Sequence, residues 1–214
     1  MNLHIIFLII LAVVSVVYLT TLFFKASIFQ HILKGCLIPL ILAVYLTGAN
    51  IILLPIILAL AFAWAGDVLL IKISNLLCFR LGLASFLIGH LCYIIAMSGY
   101  AMPFNVPVLI ISAAAAAVLA VFLFRVIKPT SEMKIPVIAY ETIILIMAIF
   151  ALQLFLAQGS TFGIFVLIGS VNFVASDTSL ALTTFRNKPY YVFCMTTYIA
   201  AQLLIALGFC KVPV

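Results

Sequence analysis

The sequence predicts an all-α, polytopic membrane protein with eight transmembrane helices, folded as a single domain over residues 1–214. Of these residues, 69% are hydrophobic and 7% are charged, and the mean hydropathy is +1.50, so lipid must be the solvent for most of the chain. The apolar residues form continuous runs, whereas a β-barrel would show alternating apolar and polar positions. The net charge of +6 comes from basic residues that stand singly between the runs, which is typical of membrane topology and not of a nucleic-acid-binding face.

A helix needs about 20 apolar residues to cross the hydrocarbon core, and this length divides the chain into spans. The predicted spans are residues 3–24, 33–49, 51–71, 79–99, 106–127, 135–157, 161–184 and 190–210. The first run begins almost at Met1 without a preceding basic segment and is followed by Lys25, which favours a retained helix over a cleaved signal peptide. The second span is the shortest and carries Pro39 in its first turns, so we expect it to be tilted or kinked.

The connections between the spans predict the orientation of the chain. Those around residues 47–50, 98–107 and 158–160, the even-numbered connections, contain no Lys or Arg. The basic residues other than Lys211 flank the odd-numbered connections: Lys25, Lys34, Lys72, Arg80, Arg125, Lys128, Lys134, Arg186 and Lys188. The positive-inside rule therefore predicts that both termini face outward and the odd connections face the cytoplasm. The short connections and compact size suit a bacterial inner membrane.

Two aspartates lie within predicted spans, Asp67 in the third and Asp177 in the seventh. A charge at such depth costs at least about 2.5–3.5 kcal/mol on insertion-type scales, which favours a functional role over packing. Two carboxylates close together in a low-dielectric site do not both ionise easily, so one stays protonated while its partner remains an acceptor. Such a pair supplies a general acid and a general base. The structural alternative is that each aspartate only hydrogen-bonds a Tyr or Asn of another helix.

Depth suggests that other polar groups share the level of the two aspartates. At about 1.5 Å per residue, Asp67, Asp177, Glu141 and His90 all fall within about 7–15 Å of the predicted cytoplasmic ends of their spans. Further polar residues at comparable or slightly greater depth are Tyr93, Tyr140, Asn172, Ser176, Thr197 and Tyr198. Polar groups in lipid must be satisfied within the protein, so a shared level predicts a shared cavity.

His90 is the histidine predicted to lie in mid-membrane, because His4 and His31 fall at opposite ends of their spans, about 30 Å apart. This separation argues against a three-histidine zinc site, and we expect neither a metal nor a cofactor. His90 fits a packed hydrogen-bonding residue, a proton relay or a group that orients an aspartate. The scattered cysteines show no metal or disulfide spacing, and no serine-nucleophile, Walker or dinucleotide motif occurs.

Two other features leave alternatives open. Glu141 fits either a third acid in the site or a side chain that reaches toward Lys134 and the interface. Span seven carries a polar row at helical spacing, consisting of Asn172, Ser176, Ser179 and Thr183. Hydrogen bonding between helices is expected for this row, except that Asn172 and Ser176 are candidates for the site.

Short motifs from span three to span eight resemble the signatures of one known family. They are Gly66-Asp67, Phe86-x-x-Gly89-His90-x-x-Tyr93, Pro136-Val137-x-x-Tyr140, Phe173-x-x-Ser176-Asp177-x-x-Leu180-Ala181-x-x-x-Phe185 and Tyr198-x-x-Ala201-Gln202. In this order they resemble the YhhN-like membrane proteins, the lysoplasmalogenase family. The first two spans carry no matching motif, and Glu141 has no counterpart in the pattern.

The resemblance implies a hydrolase of the vinyl ether bond of lysoplasmalogens, releasing a fatty aldehyde and glycerophospho-ethanolamine or -choline. Vinyl ether hydrolysis passes through an oxocarbenium ion, which an acid, a base and nearby negative charge would promote. Asp67 and Asp177 are the expected catalytic residues, with Asp177 as the acid because it lies deeper and is desolvated more. The residues expected to support them or bind substrate are His90, Tyr93, Tyr140, Glu141, Asn172, Ser176, Tyr198 and Gln202.

A proton-coupled transporter of lipid or another small molecule is the alternative, because the same buried carboxylates could bind and release protons during alternating access. The similarity between Ala65–Leu70 and Ala175–Leu180, each on the third span of a four-span half, suggests a weak parallel repeat that would fit such a protein. The sequence shows few of the mid-span Gly and Pro breaks of discontinuous transporter helices. A purely structural or partner-binding protein would leave the two acids unexplained.

Overall fold

The computed structural model describes residues 2–24, 28–72 and 74–213, and these residues form eight α-helices and no strand. The helices are α1 Leu3–Thr21, α2 Ile28–Gly48, α3 Leu54–Leu69, α4 Leu76–Ser98, α5 Val106–Ile127, α6 Lys134–Gln158, α7 Thr161–Arg186 and α8 Tyr191–Phe209. Short 3₁₀ turns extend α3 over Leu70–Lys72 and precede α6 over Ser131–Met133. The predicted all-α fold class is confirmed.

Local sequence signals explain where several helices begin and end. The side chains of Asn2, Asn75 and Asn105 each accept a hydrogen bond from a backbone N–H in the first turn of α1, α4 and α5. At the other end, α6 and α7 stop at Gly159 (φ 54°) and Asn187 (φ 51°), in the left-handed conformation that Gly and Asn tolerate best. Caps of this kind place the ends of long apolar helices in polar connections.

Each of the eight helical segments is long and apolar enough to cross a membrane, within the part of the chain that the structure describes. α4 and α8 are the most enclosed, whereas α1 and α5 expose most of their surface. Large apolar side chains such as Ile111 (68% exposed) and Val118 (71% exposed) cover that outer surface, as expected for a face in contact with lipid. The bundle therefore places α4 and α8 at its centre and α1 and α5 at its periphery.

Contacts between helix ends show that neighbouring helices alternate in direction. Arg80 at the start of α4 lies 3.4 Å from the Glu132 carboxylate in the turn before α6, so the third and fifth connections share one end of the bundle. At the opposite end, Gln158 donates a hydrogen bond of 3.0 Å to the carbonyl of Tyr100. The odd and even connections thus lie at opposite ends of the bundle. The expectation that both termini face outward stays a prediction.

The start of α2 differs from the prediction. α2 begins at Ile28 and not at residue 33, its length is 21 residues, and Pro39 lies in its middle. The shortest α-helix of the described residues is α3, with 16 residues. Lys34 consequently lies beyond the first turn of α2 and not at the edge of the first connection, while Lys25 falls outside the described residues. The prediction was wrong because Gln30 and His31, the polar residues early in α2, were read as loop, although helical spacing places Gln30 on the same side of the helix as Lys34.

Close helix packing depends on small residues at particular positions. A side chain added at Gly169 in α7 would place its Cβ 3.0 Å from the carbonyl oxygen of Ala201 and 2.7 Å from a side-chain carbon of Ile205, both in α8. A Cβ at Gly89 in α4 would likewise lie 3.1 Å from the carbonyl oxygen of Ala59 in α3. The pairs α7–α8 and α3–α4 therefore approach at backbone distance, as small residues allow in membranes.

We expect Gly169→Ala to lower the free energy of unfolding by about 1–3 kcal/mol, because α7 and α8 would have to separate. Gly35→Ala is the matched control, since a Cβ at Gly35 meets no atom within 4 Å. Thermal unfolding of both variants in the same detergent measures the difference. Equal melting temperatures would contradict the close α7–α8 contact.

Candidate active site

A cavity of about 280 Å³ lies inside the bundle, toward the end that carries the odd connections. Its wall combines apolar side chains such as Leu83, Phe86 and Ile127 with a few polar groups. The polar and ionisable side chains that line it include Gln30, His31, Lys34, Asp67, Tyr140, Glu141, Ser176, Asp177 and Tyr198. Both aspartates line this one cavity, although α3 and α7 lie far apart in the sequence. The expected shared level of polar groups thus corresponds to a shared cavity for most of them.

Asp67 is held by two donors from different helices. The hydroxyl of Tyr198 in α8 donates to Asp67 Oδ2 at 2.7 Å, and Lys34 Nζ in α2 lies 3.3 Å from Asp67 Oδ1. Asp67 is 3% exposed and Lys34 is 7% exposed, so the ion pair is buried. Hydrogen bonding and a nearby cation both favour the ionised carboxylate.

Behind Tyr198, a row of buried side chains fixes the direction of the hydrogen bond to Asp67. Tyr93 in α4 donates to Gln202 Oε1 at 2.6 Å, and Gln202 Nε2 donates to the hydroxyl of Tyr198 at 3.5 Å. Because the Tyr198 hydroxyl accepts from Gln202, its single proton is directed to the aspartate. Tyr93 and Gln202 do not line the cavity, so they support Tyr198 from behind.

Asp177 lies in a different environment. It is half-buried and thus more exposed than Asp67, so the expectation that Asp177 is desolvated more is wrong; the hydroxyl of Tyr140 in α6 donates to its Oδ2 at 2.7 Å. Within residues 2–24, 28–72 and 74–213, no cation lies in ion-pair distance of Asp177. The two aspartates therefore differ in charge surroundings, since Asp67 has a lysine partner and Asp177 has a neutral hydroxyl.

His90 lies beside the cavity and does not form part of its wall. Its Nδ1–H donates to the carbonyl of Phe86 at 2.7 Å, and its ring packs edge-on against Phe173 and Tyr140, with centroid distances of 4.9 and 5.5 Å. Among the described residues, no hydrogen bond joins His90 to an aspartate. The structure thus places His90 against Tyr140, the tyrosine that donates to Asp177, so that Tyr140 lies between His90 and the aspartate.

The two site candidates in the polar row of α7 have different surroundings. Ser176 lines the cavity and donates to the carbonyl of Cys194 at 3.0 Å, which ties α7 to α8 beside Asp177. Asn172 donates to the carbonyl of Ile168 in its own helix and does not reach the cavity. The structure therefore brings Ser176 to the site but leaves Asn172 outside it.

Glu141 lines the cavity and is half-buried. Its Oε1 atom is enclosed, and no hydrogen-bond partner for that atom exists among the described residues. No ion pair joins Glu141 to Lys134 in that part of the chain. Of the two alternatives for this residue, the position at the cavity agrees with the structure.

The sequence analysis missed Lys34 and His31, which line the cavity from α2. A signal existed, because Gln30, His31 and Lys34 occupy neighbouring positions on one helical face. His4 lies at the far end of the bundle, where its Nδ1–H donates to the carbonyl of Val44, so the predicted separation of the histidines agrees with the structure. No group of three His, Cys, Asp or Glu side chains with metal-binding geometry is found among the described residues.

These features define a class: a polytopic helical membrane protein with a carboxylate site enclosed between its helices. The family model of the YhhN family matches residues 29–209, and the chain belongs to that family. The matched region begins at α2 and includes every helix that contributes a carboxylate or its partner to the cavity. A comparison with curated proteins finds no match, and a comparison with solved structures finds none either.

The ion pair can be tested by a double-mutant cycle on Lys34 and Asp67. We expect Lys34→Met to destabilise the protein, because it leaves Asp67 buried without its cation, and Lys34→Met with Asp67→Asn to recover part of that loss. A coupling free energy of about 0.5–3 kcal/mol is expected for residues in contact. Unfolding of the four proteins in detergent measures it, and strictly additive effects would contradict the pairing.

Proposed function

We propose that this protein hydrolyses the vinyl ether bond of lysoplasmenyl-ethanolamine or lysoplasmenyl-choline to a fatty aldehyde and the glycerophospho-base. Lysoplasmalogenase is the known activity of the YhhN family, and membership fits a hydrolase of this type. The observation that carries the proposal is the pair of carboxylates, Asp67 and Asp177, in the wall of one cavity with unlike partners.

The reaction consumes one water and needs a proton donor and a proton acceptor. A proton is added to the vinyl carbon that is not bonded to oxygen, which leaves an oxocarbenium ion at the other vinyl carbon. Water attacks that carbon, loses a proton and gives a hemiacetal. The hemiacetal then breaks its bond to the glycerol oxygen, releasing the aldehyde and the free glycerol hydroxyl. A site for this sequence needs an acid of sufficient strength, a base for water and negative charge near the cation.

The partners of the two aspartates support different roles for them. Lys34 and Tyr198 favour an ionised Asp67, which suits a base that takes the proton from water. Asp177 receives one neutral hydrogen bond on Oδ2, which leaves its other oxygen to carry a transferable proton. Titratable groups placed in unlike environments are the usual basis for dividing acid and base roles. After proton donation, the Asp177 carboxylate would supply negative charge beside the oxocarbenium ion.

The apolar part of the wall suits the alkenyl chain of the substrate. Leu83, Phe86, Leu123, Ile127 and Ile144 line the cavity together with the acids. An enclosed apolar surface strengthens the electrostatic effect of the carboxylates, because little water screens them. A lysolipid with a single chain would place its vinyl ether at the junction of this apolar wall and the polar groups.

We expect Asp67→Asn and Asp177→Asn each to lower the rate of aldehyde release by about 10²–10⁴-fold, the usual contribution of general acid or base catalysis. Glu132 lies at the same end of the bundle, is exposed and pairs with Arg80. Glu132→Gln is therefore the matched control, and it should keep full activity. Circular dichroism of each variant checks that the helices remain. Activity that survives both aspartate changes would overturn the proposed mechanism.

The choice between hydrolase and transporter can be made with the purified wild-type chain. In detergent micelles without any gradient, lysoplasmenyl-ethanolamine should be converted to aldehyde, because the proposed chemistry needs only water and the two acids. The aldehyde is measured by a coupled dehydrogenase. If micelles give no aldehyde, whereas vesicles show lysolipid or solute movement that depends on a proton gradient, the transporter alternative is correct.

A further inference from the structure

The acidic residues of the chain differ in how their charges are satisfied. There are four Asp and Glu residues, and all of them lie within the described residues. Asp67 has Lys34 and Tyr198, Asp177 has Tyr140, and Glu132 has Arg80. Glu141 alone has no hydrogen-bond or ion-pair partner among the residues that the structure describes, although its Oε1 is enclosed. An enclosed carboxylate oxygen without a donor carries an unmet desolvation cost, which a ligand that donates a hydrogen bond would offset.

The position of Glu141 links it to the site without making it part of the acid pair. It follows Tyr140 directly in α6, and both side chains line the cavity. Consecutive residues of a helix project about 100° apart, so Glu141 faces a different part of the cavity from the tyrosine that holds Asp177. A ligand that extends through the cavity could therefore meet Asp177 with one part and Glu141 with another.

We propose that Glu141 binds the primary ammonium group of a phosphoethanolamine headgroup, and so gives the site a preference for that headgroup. This rests on the proposed function, since the ligand is the lysolipid whose vinyl ether meets the aspartates. The enclosed Oε1 lacks a hydrogen-bond donor; a primary ammonium supplies both an N–H donor and a positive charge, whereas a quaternary ammonium supplies only the charge and a glycerol hydroxyl only a donor. The expected order of affinity is phosphoethanolamine, then phosphocholine, then phosphoglycerol, whose headgroup carries no positive charge.

The test measures binding, using lysolipids in which a saturated alkyl ether replaces the vinyl ether. Three such lipids with the same chain carry phosphoethanolamine, phosphocholine or phosphoglycerol, and each is titrated into the detergent-purified protein. The wild type should bind the phosphoethanolamine lipid about tenfold more tightly than the phosphoglycerol lipid, as expected for one charge-assisted hydrogen bond. Glu141→Gln should lose that difference by weakening the phosphoethanolamine lipid most and the phosphocholine lipid less, while the phosphoglycerol lipid binds as before. Glu132→Gln, which removes the exposed glutamate, should bind like the wild type.

Two outcomes would overturn the proposal: an unchanged preference in Glu141→Gln, or an equal loss for all three lipids, which would indicate a structural role. If Glu141→Gln does not fold, Glu141→Asp keeps the charge on a shorter side chain. That variant should still prefer phosphoethanolamine to phosphoglycerol. If it loses this preference but still binds the phosphoglycerol lipid as the wild type does, the proposed ammonium site at residue 141 is wrong. The alkyl ether has no vinyl bond to hydrolyse, so these results stand apart from the aldehyde assay. Absence of aldehyde would count against the proposed function alone.

Discussion

The buried ion pair between Lys34 and Asp67 is the interaction on which the arrangement of the site depends. Removing two charges from water is expensive, and the attraction between them offsets that expense only when other donors complete the coordination. Here Tyr198 completes it, so that α2, α3 and α8 each contribute one member of a single polar cluster. Because these groups must stay together inside an apolar bundle, the cluster fixes where three helices meet. The cavity opens beside that junction.

The second acid of the cavity wall, Asp177, has different partners from Asp67. Asp177 receives a hydroxyl from Tyr140, while Ser176, its neighbour in the chain, bonds the backbone of α8. His90 packs against Tyr140 and so restricts the position of the phenol ring without touching the carboxylate. Two carboxylates of the same chemical type thus lie in one cavity with distinct surroundings. The asymmetry arises from neighbouring helices and not from the aspartates themselves.

Much of this arrangement follows from the sequence, and the exceptions have physical reasons. Hydropathy identified the helices because the bilayer sets their length, and depth along each helix placed Asp67, Asp177 and Glu141 at one level. Depth says nothing about the side of the helix on which a residue lies. For that reason Asn172 was expected at the site, although its amide bonds the preceding turn of its own helix. Lys34 was expected at the edge of the second span as a topology signal, which a lysine near a span end normally is, and its pairing with Asp67 depends on tertiary packing.

The hydrogen bonds from Tyr93 through Gln202 to Tyr198 all run in one direction, toward Asp67. A proton wire would require each member to release one proton and take up another, which an amide side chain such as that of Gln202 does poorly. The row therefore behaves as a fixed dipole whose positive end faces the carboxylate. In the proposed mechanism, a proton that Asp67 takes up therefore leaves toward the cavity and not through the centre of the bundle.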